Sequence, residues 1–137
     1  MTASQVGQLV ADNAKTGPCA WVDYDNDGWP DLWVGSGFSE WPPSGRHYVW
    51  HNDGNGSFSQ VTGQLGSLTN SVADSVGHWA DYDNDGFPDL FLPGWDRPNS
   101  LHHNLGGQTF IDVSTQANVA ELHTASQAAW GDYDNDG

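Results

Sequence analysis

The sequence predicts an all-β chain made of repeated four-stranded units, and three observations predict it. The string Asp-Tyr-Asp-Asn-Asp-Gly occurs three times, starting at Asp23, Asp81 and Asp132, and each copy follows a tryptophan two residues upstream (Trp21, Trp79, Trp130). A second block recurs between these: His51-Asn52-Asp53-Gly54-Asn55-Gly56-Ser57-Phe58 matches His103-Asn104-Leu105-Gly106-Gly107-Gln108-Thr109-Phe110. The composition, finally, favours turns and short strands over helices. Of 18 acidic residues only Glu40 and Glu121 are Glu, and the chain holds 17 Gly and 7 Pro; Asp, Gly and Pro all break helices.

Each unit reads as four short strands. In the first they are expected at 19–23, 31–35, 47–51 and 58–62, each bounded by Gly, Pro, Asn or Asp. The Asn-x-Gly-x-Gly stretch from Asn52 is a hairpin turn between the third and fourth, because glycine supplies the positive φ that such turns need. Residues 63–76 are polar and weakly patterned, and are expected to form a crossing connection. From the aspartate string to the following Asn the spacing falls from 29 residues (23 to 52) to 23 (81 to 104). The return spacing is nearly constant, 29 (52 to 81) and 28 (104 to 132). Length variation therefore falls in one segment, residues 36–47 of the first unit, as in a rigid scaffold with one insertion-tolerant loop. Four strands in a unit of 51 to 58 residues fit a β-propeller blade better than a solenoid coil. The chain holds about two and a half such blades: repeat 1 over about 1–57, repeat 2 over about 58–109, and a partial repeat 3 over 110–137.

Composition excludes several function classes. With 3 Lys+Arg against 18 Asp+Glu the formal net charge is -15 over 137 residues. Nucleic-acid binding needs a basic footprint, and anionic membrane surfaces repel such a chain. No apolar run approaches the length of a spanning helix, and residues 1–20 show no apolar stretch of the signal-peptide kind. A lone Cys19 leaves no internal disulfide and no CxxC motif. Acidity alone would suit a disordered chain, but 8 Trp, 4 Tyr and 5 Phe argue for a packed one.

The chemistry lies in the aspartate strings. Asp23-Tyr24-Asp25-Asn26-Asp27-Gly28-Trp29-Pro30-Asp31 places carboxylates at alternate positions before a glycine turn, and residues 81–89 repeat the pattern. Carboxylates so crowded repel one another by about 1 kcal/mol per pair even at water-like screening. A hard divalent cation with oxygen ligands would neutralise them. Calcium accepts six to eight oxygens in flexible geometry, whereas zinc prefers His or Cys and magnesium a strict octahedron. The loops are not EF-hands: Val34 and Leu92 stand at the twelfth position, where a bidentate Glu is required.

The run Trp79-Ala80-Asp81-Tyr82-Asp83-Asn84-Asp85-Gly86-Phe87-Pro88-Asp89-Leu90, followed by Leu101-His102-His103-Asn104 and Gly106-Gly107-Gln108-Thr109-Phe110, resembles the FG-GAP/VCBS repeat family, the calcium-binding blades of integrin-α-like propellers. The resemblance covers essentially the whole chain, with both blocks in the right order twice. It implies calcium held by the side chains of Asp23, Asp25, Asp27 and Asp31, and of Asp81, Asp83, Asp85 and Asp89. The carbonyls of Trp29 and Phe87 would supply the seventh position. Asp132, Asp134 and Asp136 match a third loop in part. It also implies a non-enzymatic, extracellular or cell-surface module with a structural, adhesion or ligand-binding role. The alternative is the non-catalytic propeller portion of a larger secreted enzyme acting on polysaccharide. Rings of this family usually have about seven blades, so further blades are expected from the same gene product or by self-association, the chain being a fragment or an assembling protomer.

The remaining chemistry-bearing residues read more plainly. His51, His102 and His103 are expected to be strand residues, and His47, His78 and His123 show no triad spacing. Trp21, Trp79 and Trp130, in register, are expected in the core between blades. Trp41, Arg46, Trp95 and Arg97 lie in the variable segment and do not repeat, which makes them candidates for contact with a protein or glycan ligand.

Overall fold

The computed structural model describes residues 16–36, 47–70, 76–94, 97–121 and 127–134. Among the described residues, eight strands form two four-stranded sheets, β1 to β4 and β5 to β8, each paired in sequence order. The first sheet comprises β1 (Thr16–Val22), β2 (Asp31–Ser36), β3 (Tyr48–Asn52) and β4 (Phe58–Gln60); the second comprises β5 (His78–Ala80), β6 (Asp89–Leu92), β7 (Ser100–Asn104) and β8 (Phe110–Asp112). All six pairings are antiparallel. The result is the up-and-down meander of propeller blades, two of them, with no closed ring. Among the described residues no α-helix occurs, and no helix is long and apolar enough to cross a membrane.

The four strands expected in the first unit are all present, with ends shifted by up to three residues. The register of β1 slips between Thr16 and Cys19, across Pro18, which has no N–H to give to the ladder. The fourth strand is shorter than the period suggested. It ends at Gln60, where Thr62 turns its side chain back and accepts the Val49 N–H at 2.7 Å. Ser114 does the same for Leu101 in the second sheet, at 2.9 Å.

The connection after β4 differs from its expectation. It folds into 3-10 turns at Thr62–Gln64 and Gly66–Asn70, and it buries Leu65 and Leu68. Those two leucines join Tyr24, Trp33 and Val49 of the first repeat with Leu90, Leu92 and Phe110 of the second in one apolar cluster. Because side chains alternate along a strand, the neighbours Leu32 and Trp33 point to opposite faces, and both are buried. The packing leaves the Asp-rich β1–β2 and β5–β6 turns together at one rim, next to the β3–β4 and β7–β8 hairpins.

The tandem tryptophans divide. Trp79 packs edge-on against Phe110 with ring centroids 6.0 Å apart. Trp21 and Trp130, expected in the core, are instead 60% and 42% exposed. Trp79 alone of the three lies between the two sheets. Trp21 leans on Phe58 and Trp130 stacks on Tyr82, each on a sheet face directed away from that core.

Candidate metal centre

The two complete aspartate loops have the same internal geometry. Asn26 and Asn84 take left-handed backbone conformations (φ 57° and 59°), followed by Gly28 and Gly86 at 91° and 94°. Asparagine tolerates that region and glycine enters it without steric cost. The turn this makes wraps the loop round its first carboxylate. Asp23 accepts the N–H groups of Asp27 and Gly28 at 3.1 and 3.0 Å, and Asp81 accepts those of Asp85 and Gly86 at 3.0 and 2.9 Å. Asp27 and Asp85 each accept the N–H two residues on, at Trp29 and Phe87, at 2.8 Å.

The ninth aspartate is the floor of each loop. Asp31 and Asp89 are fully buried at the start of β2 and β6. Asp31 accepts N–H groups from Tyr24 at 3.2 Å and Asn52 at 2.8 Å; Asp89 accepts them from Tyr82 at 3.1 Å and Asn104 at 2.7 Å. Burial pushes the Asp31 carboxyl up to about 6, against these hydrogen bonds, which favour the charged form. Asp89 is raised for the same reason, and Asp25 is raised by burial and then by the neighbouring Asp27. A buried carboxylate facing further carboxylates calls for positive charge beside it, which a bound cation could supply.

Carboxylate oxygens of Asp23, Asp25 and Asp31 lie within 4.8 Å of one another, as do those of Asp81, Asp83 and Asp89. Each group could hold a metal ion. Asp27 and Asp85 belong to separate sets, with Asp25 and His51 and with Asp83 and His103. The four predicted aspartates of each complete loop thus fall into two overlapping groups, which share Asp25 in the first loop and Asp83 in the second. Trp29 and Phe87 occupy the seventh positions. Asp132 and Asp134 are exposed, and Asp136, Trp41, Arg46 and Trp95 lie outside the described residues. Arg97 is partly buried, away from the loops along the chain.

Sequence reasoning placed His51 and His103 correctly in strands and missed where their rings go. The His51 Nδ1 lies 3.2 Å from Asp31 Oδ1 and 3.3 Å from Asp25 Oδ2, with Nε2 3.8 Å from Asp27 Oδ2. The His103 Nδ1 lies 3.1 Å from Asp89 Oδ1 and 3.3 Å from Asp83 Oδ2. The strand register, which the repeat alone does not reveal, sets this. Pairing Leu32 with Trp50 and Leu90 with His102 puts the next residues, His51 and His103, opposite the ninth aspartates. The following Asn is equally tied in. Asn52 Nδ2 donates to the Pro30 carbonyl at 3.0 Å and Asn104 Nδ2 to that of Pro88 at 2.9 Å, clamping each aspartate loop to its hairpin.

The family model of the FG-GAP-like repeat matches residues 23–92 and again 81–137. The chain belongs to the FG-GAP-like repeat family. The first match runs from the first aspartate loop through the second loop to the end of β6, and the second begins at the second loop, so each match opens on an aspartate loop. No solved structure matches the chain.

Proposed function

We propose that this chain is a calcium-binding β-propeller module that works outside the cell, and that its calcium is structural. One observation carries the reading: two loops 58 residues apart (23 to 81) repeat the same carboxylate arrangement over a fully buried ninth aspartate. The two N–H groups that each ninth aspartate accepts do not neutralise the carboxylates crowded beside it. The donor set is rich in oxygen and flexible, which suits calcium more than magnesium or zinc. Asp23, Asp25, Asp27 and Asp31, and Asp81, Asp83, Asp85 and Asp89, would surround the ions. His51 and His103 then orient the ninth aspartate rather than ligate a hard cation. Ions enclosed in this way leave little room for a substrate, so the module is read as a non-enzymatic scaffold. Protein or glycan recognition would fall to the loop around Arg97 and its counterpart in the first repeat.

Calorimetric titration with calcium chloride tests this. Two ions should bind with dissociation constants of about 10⁻⁴–10⁻³ M, as in extracellular modules. At ten times that concentration each ion stabilises the fold by about 1.4 kcal/mol, so the melt should rise by several degrees and fall back with chelator. No heat of binding, with a melt indifferent to calcium, overturns the reading.

A further inference from the structure

We propose that the two loops bind their ions cooperatively and that Asn104 couples them. The proposal rests on the reading of both loops as calcium sites and adds how one site acts on the other. Asn104 is fully buried and makes the hydrogen bonds that Asn52 makes in its own repeat: its N–H to Asp89, its Nδ2 to Pro88, its Oδ1 to an N–H of the hairpin, here Gly107 at 2.8 Å. It then makes one more across the repeats. Its Nδ2 donates to the carbonyl of Tyr24, at 2.8 Å, inside the first loop. Tyr24 in turn gives its N–H to Asp31. Two residues therefore link the buried carboxylate of one site to that of the other, Asp89 to Asn104 to Tyr24 to Asp31. Two further contacts join the same parts. Asn26 Nδ2 donates to the Gly86 carbonyl at 2.6 Å, loop to loop. Gly107 lies so close to Asp25 that a β-carbon there would start 2.5 Å from the Asp25 Cα.

The physical consequence is shared ordering. An ion in the second loop fixes Asp89, and with it Asn104, the hairpin and the Gly86 peptide. Each of these holds a part of the first loop: the Tyr24 peptide, Asp25 or Asn26. The first loop is then ordered before its own ion arrives, and that ion binds at a smaller entropic cost. Linkage makes the effect reciprocal. The second ion should bind about five- to tenfold tighter than it does alone, at the lower end of measured couplings.

The test is calcium calorimetry on the full chain and on Asp27→Ala and Asp85→Ala, which silence the first and second loops. Coupling predicts that the product of the two wild-type association constants exceeds the product of the single-loop constants by about five- to tenfold. Asn104→Ala, with each single-loop variant remade in its background, should bring that excess to within about twofold of unity. If Asn104→Ala does not fold, Asn26→Ala, whose bond is exposed, serves instead and should at least halve the excess. Two ions bound independently in the wild type overturn the coupling and leave the calcium reading standing. An excess unchanged in the variant read overturns the assignment to these contacts. No calcium heat at all overturns the reading beneath both.

Discussion

The imidazole of His47 stacks on the indole of Trp33, with ring centroids 6.1 Å apart and 22° between the planes. Both side chains are buried, 1% and 0% exposed. Burial holds the His47 pKa down to about 4, with nearby His102 adding to the effect and a hydrogen bond with the Leu68 backbone opposing it. The folded pKa is thus depressed below the unfolded value of 6.5. The unfolded chain takes up this proton first as pH falls, so stability is whole above about 6.5 and drains away down to about 4. The full loss is about 3 kcal/mol. His102, buried and also lowered, works in the same direction. Urea melts in saturating calcium should show the drop between pH 7 and pH 5, and His47→Phe should flatten much of it. An equally steep profile in the variant would assign the acid sensitivity elsewhere.

The crowding of charge gives a prediction whose sign changes with calcium. Asp25 is the carboxylate shared by both donor groups of the first loop, and the charge of Asp27 raises its pKa after burial does. Asp25→Asn keeps the shape, and an acceptor for the long 3.4 Å contact from the Asp27 N–H. In chelator the variant should be more stable than the parent, by about 1 kcal/mol, because a repulsive pair is gone. In calcium at a hundred times the dissociation constant, where a bound ion stabilises the parent by about 2.7 kcal/mol, it should be less stable, because the ion it binds is held more weakly. Paired melts in chelator and in calcium check both signs. A variant less stable in both conditions would mean that the aspartates hold the loop together without an ion.

Sequence and structure agree where the repeat itself carried the information. The strand order, the hairpins at Gly54 and Gly106 and the eight loop aspartates all recur, and recurrence separates signal from chance. What was missed is what one copy of a pattern cannot show. His51 and Asn52 were visible as a repeated pair, but their role depends on the register that sets them opposite Asp31, a non-local fact. Trp21, Trp79 and Trp130 recur equally, yet their burial depends on which sheet faces have a neighbour, and recurrence is silent on that. Leu65 and Leu68 fell in a stretch with no strand alternation. A 3-10 turn brings every third residue to the same side, and two leucines three apart are a weak mark of it.

Leu68 makes the last of these measurable. It is fully buried in the cluster that joins the two repeats. Leu68→Ala should cost about 2–5 kcal/mol, the range for a core leucine. A connection that merely crossed between sheets would lose a few tenths. Chemical denaturation separates the two outcomes, and a loss under about 0.5 kcal/mol, the scale of surface substitutions, would remove the connection from the core.

Gly106 and Gly107 offer a comparison in which backbone strain cancels. Both have positive φ, 67° and 74°, so alanine at either position strains the backbone by about 1–2 kcal/mol. They differ in what surrounds them. A β-carbon on Gly106 meets nothing within 4 Å, while one on Gly107 would lie 2.5 Å from the Asp25 Cα and 2.6 Å from its Cβ. Neither atom is the end of a flexible side chain, so the first metal loop must move away from the second repeat. The extra cost of Gly107→Ala over Gly106→Ala should be about 1–3 kcal/mol, the usual penalty for overpacking. It should appear in calcium affinity as well, because displacing Asp25 spoils the first donor group and leaves the second loop intact. Calorimetry on Gly107→Ala should then show one near-normal site and one weakened at least severalfold, with Gly106→Ala close to wild type. Equal stability and equal calcium binding in the two variants would mean that the contact between the repeats yields without cost, and that Asp25 is not held by it.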